Sequence, residues 1–593
     1  MTRLMRLALL VCCATGAAAQ NTSSRATIVA HVLDFVADVL PPATLAPFAG
    51  EMEAAMAAMA ANVARDHHVP EVAAAKATLQ PVLAQIERDL GAPNTTAFDY
   101  FGWVPRYEAS AVAGAASQPL GANCWNTVSV TAMAPTAAGD VQVSIKVAGA
   151  KSLLCSDMYA LITPAAFQLA WLPGPIGGTK HYTFSTKNLT ASEKWDLLNT
   201  GVRVFRFRDN PLKTVSDVLQ TALLFVPLLT AKPPACAAKR NVDFLRNYRG
   251  LTMAPRNDSG ATLLDASDID PGSFFGIIRL DGLDTMLAWG MGSHTGHTAI
   301  ALHNETGHLH VCESTTKDSY WPVNGVQCTP YARWLKQARE AGHNVVLAPL
   351  AEPYRSRFNN TAALRFFREN EALDYGFQSM LWGWIDTPRD NYPCLPPYPN
   401  SDGDGFCLTF ELYSTLFPFI GKLTGSAAIE QLYLAAFNQR VFNSTTAPLR
   451  SATDVYQAAA AKEMDLHAMP TIIERDDTIY NQVFNNGTKT RGLAMNCDVF
   501  VCRMWKAGGL FDALGDGFQC AELTNWDDYA LEVLAAPATR PAACVAADPA
   551  NKLCQLVGDW TLELPDLGTR KPAKDYAQSC PGLPPLYERP DVC

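Results

Sequence analysis

Met495-Asn496-Cys497-Asp498-Val499-Phe500-Val501-Cys502-Arg503-Met504-Trp505-Lys506-Ala507-Gly508-Gly509-Leu510-Phe511 repeats its apolar side chains at helical spacing. Cys497, Val501, Met504 and Trp505 form the stripe, and Gly508-Gly509 supplies the stop. The pattern predicts one short helix with Cys497 in its first turn, where unpaired backbone N–H groups and the helix dipole favour a thiolate. A second stretch, Gly292-Ser293-His294-Thr295-Gly296-His297-Thr298-Ala299-Ile300-Ala301-Leu302, reads as a turn feeding a strand that begins at a histidine. A cysteine at a helix start and a histidine at a strand start are the minimum for a thiol nucleophile and its base. A bridged cysteine and an ordinary loop histidine would look the same, so the surrounding chain has to be read as well.

Between these stretches the elements alternate. An apolar strand follows the turn residues at 268–273, and Thr298–His303 and His308–Glu313 read as two strands joined by Asn304-Glu305-Thr306-Gly307. An amphipathic helix begins at Tyr331, the strand Asn344–Leu350 follows, and Ala362–Leu373 is a second helix leading to Tyr375-Gly376. A few strands with helices packed on them predict an α+β domain at about 241–542. The long stretch at about 385–490 is expected as an insertion in that domain.

The order His297, Glu313, Tyr375, Cys497 resembles the circularly permuted branch of the NlpC-type papain-like cysteine hydrolases. There the histidine strand precedes the cysteine helix, and relatives include amidase-like proteins and lipid acyltransferases. The matching pieces are Gly296–Leu302, Gly307–Ser314, Gly325-Val326 and Cys497–Val501, within a resemblance that covers Ser273–Tyr375 and Asn496–Phe511, roughly a fifth of the chain. The resemblance implies Cys497 as nucleophile, His297 as base and Glu313 as the residue that orients the imidazole. Asp498 departs from it, standing where these proteins often have serine.

The chemistry follows from the residue types. A free thiol has a pKa of about 8.5, and a helix N-terminus with a nearby imidazolium lowers this to roughly 3.5–7.5. The histidine returns the proton to the leaving group, a carboxylate fixes its tautomer, and the Cys497 backbone N–H is a candidate oxyanion donor. His294 is the rival base, and His297 is preferred because it abuts the strand. Tyr375 reads as a packing residue. Glu313 shares a strand face with Leu309 and Val311, at the rim of a core if that face is buried. Cys407 also starts a helix-like run, but Cys394 thirteen residues earlier makes a Cys394–Cys407 staple the better reading.

The rest of the chain sets the compartment. Residues 1–20 read as a signal peptide, with Arg3 and Arg6, an apolar core at Leu7–Cys13 and small residues at Ala17–Ala19. No later apolar run is long enough to span a bilayer. Asn-x-Ser/Thr sequons occur at Asn21, Asn94, Asn188, Asn257, Asn304, Asn359, Asn443 and Asn486, as expected for an exported glycoprotein. The net charge of −10 gives no footprint for nucleic acid. Neither a cofactor motif nor a metal motif of the Cys-x-x-Cys or His-Glu-x-x-His kind occurs. Residues 21–98 are helical in character and could be a propeptide, whereas 99–235 alternate with period two and read as a β-rich accessory domain. Residues 543–593 read as a Pro-rich, cysteine-stapled strap. If Cys497 is free an odd number of mature cysteines remains, which makes Cys502 a candidate second free thiol. The expected bridges are Cys124–Cys155, Cys394–Cys407, Cys544–Cys554 and Cys580–Cys593.

The sequence therefore predicts a secreted or lysosome-like cysteine hydrolase acting on a small-molecule, peptide or lipid-derived acyl substrate. Two other readings stay open: a secreted binding glycoprotein whose cysteines are all bridged, and a lipid acyltransferase or thioesterase on the same fold.

Overall fold

The computed structural model describes residues 100–376, 451–464 and 480–572, apart from 153–155, 174–176, most of 210–230, 259, 261–262, 318–320, 537–540 and 550, and adds isolated positions between 379 and 442. The signal peptide, the region at 21–98, Asn21, Asn94, Asn443, Cys155 and the pair Cys580–Cys593 lie outside the described residues, as do the side chains of Cys394 and Cys407. The chain divides into two compact units, Met1–Leu223 with Pro397–His467, and Leu224–Pro396 with Ala468–Cys593. Much of the stretch expected as an insertion in the second domain thus groups with the first unit.

Within Met1–Leu223 of the first unit the described residues hold eight strands: β1 (Arg106–Ala111), β2 (Gln118–Leu120), β3 (Trp125–Ala132), β4 (Val141–Ala150), β5 (Ser156–Thr163), β6 (Ala166–Pro173), β7 (Gly178–Phe184) and β8 (Val202–Arg206). They form two four-stranded sheets, β1-β8-β5-β6 and β2-β3-β4-β7. Alternation explains them. Along β4, Val141, Val143, Ile145 and Val147 point into the core, while Lys146 is exposed. Val128 and Val130 of β3, Tyr159 and Leu161 of β5, and Val202 and Val204 of β8 share that one core, so the sheets bury their inner faces against each other. Cys124 is disulfide-bonded.

The second unit is built on a six-stranded sheet of order β12-β11-β10-β9-β13-β18. Its strands are β9 (Phe274–Arg279), β10 (His297–His303), β11 (Leu309–Thr315), β12 (Gly325–Pro330), β13 (His343–Ala348) and β18 (Cys554–Val557), all paired antiparallel. Two-residue strands β14 (Cys394–Leu395) and β15 (Phe406–Cys407), and a hairpin of β16 (Tyr480–Val483) and β17 (Lys489–Gly492), lie between them in sequence. The β10–β11 hairpin closes through the predicted residues, with the Asn304 N–H donating to the His308 carbonyl at 2.9 Å.

Both faces of this sheet are covered, so its strands are apolar almost throughout. Phe275, Ile277, Ala299, Ala301, Leu309, Val311, Val345 and Leu347 line one face, against Trp334, Leu335, Ala338 and Ala341 of helix α1 (Tyr331–Ala341). Helix α2 (Cys497–Ala507) lies against β10 and β11 and against α3 (Asn360–Asn370). Its Trp505 ring meets Phe274, whose side chain leaves β9 on the side opposite Phe275. The molecule has the α+β character that the alternation of elements predicted.

Two expectations are corrected. Cys502 is not a free thiol: it is bridged to Cys520, which tethers α2 to the segment that follows it. The tail is also more than a strap, because Cys554–Val557 forms the edge strand of the main sheet against β13. Cys544–Cys554 is bridged as expected, and Cys312–Cys328 joins directly opposed residues of β11 and β12. Among the described sequons, Asn188, Asn257, Asn359 and Asn486 are exposed and Asn304 is half-buried. The three disulfides whose two cysteines are both among the described residues are compatible with a secreted or lumenal protein, and no described helix is long and apolar enough to cross a membrane.

Candidate active site

Cys497 opens α2, whose N-cap is Asn496; the Asn496 side chain accepts from the Val499 N–H at 3.3 Å. At the other end Gly509 adopts a positive φ of 84°, and the Leu510 N–H returns to the Trp505 carbonyl at 3.1 Å, so the glycine pair ends the helix as predicted. The helix is buried nearly all round, including Val499, Phe500, Val501, Met504 and Trp505. Cys497 is buried and is the free cysteine among the described residues.

His297 begins β10 and pairs with Ile277 of β9. Its turn depends on Gly296, because a Cβ there would sit 2.5 Å from Asp284 Cβ and 2.6 Å from the Asp284 carbonyl oxygen. The Gly296→Ala variant therefore has to displace the turn that presents His297. A loss of about 1–3 kcal/mol in denaturant unfolding, together with slower Cys497 alkylation, is the expected result; an unchanged unfolding midpoint would contradict it.

Glu313 lies on β11, 1% exposed, and its Oε2 is 2.7 Å from His297 Nε2. Its Oε1 accepts from the Trp334 indole N–H at 3.0 Å. Both carboxylate oxygens are thus used, one to steer the imidazole and one to steer the carboxylate itself. With Nε2 committed to Glu313, Nδ1 is left for the neighbouring Cys497 thiol. Burial disfavours the imidazolium, but the hydrogen bonds to Cys497 and Glu313 outweigh it and hold the His297 pKa well above its ordinary value.

Two further side chains touch the sulfur, and two buried acids stand near it. The Tyr375 hydroxyl donates toward Sγ at 3.9 Å, so the residue read as packing also touches the nucleophile. Burial first, then the neighbouring Cys497 and Asp498, push the Tyr375 pKa well above its usual value, so the phenol keeps its proton. The Gly376 N–H donates to the Met495 carbonyl at 3.0 Å, fixing this tyrosine beside the helix start. The Asn525 side chain places Oδ1 3.5 Å from Sγ. Asp498 is buried behind the nucleophile, and burial raises its pKa to about 7 despite the hydrogen bond that its Oδ1 accepts from the Val499 N–H. Asp528 stands near it with a pKa pushed well up by burial, then by Asp498, Cys497 and Asp527. Among the described residues neither Asp528 oxygen, nor Asp498 Oδ2, has a hydrogen-bond partner.

The rival base His294 is engaged elsewhere, its Nδ1 against the Glu563 carbonyl at 3.0 Å. The structure therefore brings His297, Glu313, Tyr375, Asp498 and Cys497 together. Sequence reading missed Trp334, Asn525 and Asp528. No group of side chains suited to a metal ion occurs among the described residues. No family model matches the chain, and comparisons with curated proteins and with solved structures find no match.

Proposed function

We propose that the chain is a cysteine-dependent acyl hydrolase of papain-like type, working in a secreted or lumenal compartment on an amide, ester or thioester. The observation that carries the reading is the continuous chain from the Trp334 indole through Glu313 and His297 to an unbridged Cys497. In this reading Cys497 Sγ attacks the acyl carbon as its proton passes to His297 Nδ1. The oxyanion takes hydrogen bonds from the Cys497 N–H and the Tyr375 hydroxyl. The imidazolium then protonates the leaving group. Water, deprotonated by His297, attacks the thioester, and the acid leaves as Sγ is restored. Transfer to an alcohol or amine in place of water would make the same site an acyltransferase, which product analysis separates.

The test is alkylation of the unreduced protein with iodoacetamide from pH 5 to 8, mapped by peptide mass spectrometry, followed by a panel of acyl substrates. Cys497 is expected to react at pH 6 far faster than an ordinary thiol. Recovery of Cys497 in a disulfide, or a rate at pH 6 no higher than that of a simple thiol, would end this reading in favour of a binding protein.

A further inference from the structure

Asn525 is fully buried and touches both halves of the site. Its Nδ2 donates to the Thr295 carbonyl at 3.2 Å, two residues before His297, and its Oδ1 lies 3.5 Å from Cys497 Sγ. The amide cannot turn over at no cost, because a backbone carbonyl only accepts, so the NH₂ end belongs to Thr295 and the carbonyl end to sulfur. The backbone around Asn525 is held as firmly. Thr524 caps the short helix α4 (Asn525–Ala530) through a reciprocal bond with Asp527, and four residues earlier Cys520 is bridged to Cys502 of α2. The nucleophile helix and the segment bearing Asn525 are therefore covalently joined close to the sulfur.

This geometry has a chemical consequence. A carbonyl oxygen facing sulfur accepts from the thiol and repels the thiolate. The Cys497 hydrogen accordingly has two competing acceptors, Asn525 Oδ1 and His297. We propose that Asn525 is a further catalytic residue, one that competes with His297 for the thiol proton and so sets how far the nucleophile ionises in the resting site. The proposal rests on the hydrolase reading above. It makes Asn525 a restraint on stray reactivity: the resting thiolate fraction is smaller than His297 alone would set.

The experiment is the pH–rate profile of Cys497 alkylation in the full chain, for the wild type, N525L and N525D, with near-ultraviolet circular dichroism and melting curves to verify folding. N525L keeps the branched shape and removes the acceptor, so its profile is expected to move to lower pH by roughly half to one unit. That corresponds to about three- to tenfold faster alkylation at pH 6. N525D adds a negative charge beside sulfur, and its profile is expected to move to higher pH. A merely structural role would slow both variants without moving the midpoint. Unmoved midpoints, or a shift of N525L to higher pH, overturn the proposal. If N525L does not fold, the direction of the N525D shift decides alone. A wild-type Cys497 that resists alkylation at every pH removes the hydrolase reading and this proposal together, whereas a reactive, His297-dependent Cys497 with unshifted variants removes only the proposal.

Discussion

The Glu313→Gln variant is expected to lose Cys497 reactivity at pH 6 by between roughly 10²- and 10⁴-fold, although it is nearly isosteric. The reason lies in Trp334. Its indole N–H donates to Glu313 Oε1, so in the variant the amide carbonyl must face Trp334 and the NH₂ must face His297. Nε2 would then have to accept, which moves the imidazole proton to Nδ1, the nitrogen needed to take the thiol hydrogen. The wrong tautomer faces the nucleophile. The negative charge that steadies the imidazolium is lost as well. Adding Trp334→Phe to Glu313→Gln frees the amide to turn over, and the double variant is expected to recover part of the rate; Trp334→Phe alone should cost little. Equal rates for Glu313→Gln and the wild type would show that Glu313 does not orient the base. A double variant no faster than Glu313→Gln would remove Trp334 from the argument.

What was legible in the chain was local. The four-residue loop at Asn304–Gly307 fixes the β10–β11 register, with Ile300 opposite Cys312, and so puts Glu313 near the His297 end of the hairpin. Period-two alternation had already placed Glu313 on the face of Leu309 and Val311. Helical spacing and the glycine pair located Cys497. Contacts made across the fold left no such trace. Trp334 was visible as part of an amphipathic stripe, but nothing in its spacing says that its N–H reaches Glu313. Asn525 sits after a bridge whose partner, Cys502, parity arithmetic had suggested was a second free thiol; parity says only that a cysteine is left over, not which one, and only the packing of Cys520 on α2 chooses. Strand β18 was hidden because Cys554-Gln555-Leu556-Val557 is four residues long amid turn-rich chain, too short for a periodic signal. Asp498 and Asp528 are a further case. Asp498 stands beside the nucleophile and Asp528 in the first turn of α4, and nothing in their spacing says that both are fully buried.

Those buried acids set the second large expectation: the protein is more stable at pH 5 than at pH 8. Asp498 and Asp284 have pKa values raised by burial to about 7, and that of Asp528 is raised well above the usual carboxylate range. Asp284 is raised further by Asp281 and opposed by His297 and Arg279, while Asp498 is raised by Asp527 and opposed by the Val499 N–H and His297. An acid whose folded pKa lies above its unfolded value near 3.9 stabilises fully below that value. It loses the contribution as pH climbs through the folded pKa. For Asp498 the window is about pH 4 to 7, and the difference across it is on the order of a few kcal/mol. His297, with its pKa also raised, adds in the same direction. His343 opposes, since burial, Arg279 and His297 hold its pKa well below 6.5 and it resists protonation as pH falls. Three carboxyls and His297 against one imidazole leave the balance on the acid side. The melting temperature should therefore rise by roughly 5–10 °C from pH 8 to pH 5. The Asp498→Asn and Asp528→Asn variants should each be more stable than the wild type at pH 8, with flatter profiles, because an amide has no charge to bury. A melting temperature that is flat or falls on acidification would mean that these carboxyls find partners or water in solution. A rise that both variants reduce would suit a site built to stand in an acidic lumen, where the acids behind Cys497 are neutral and do not oppose its thiolate.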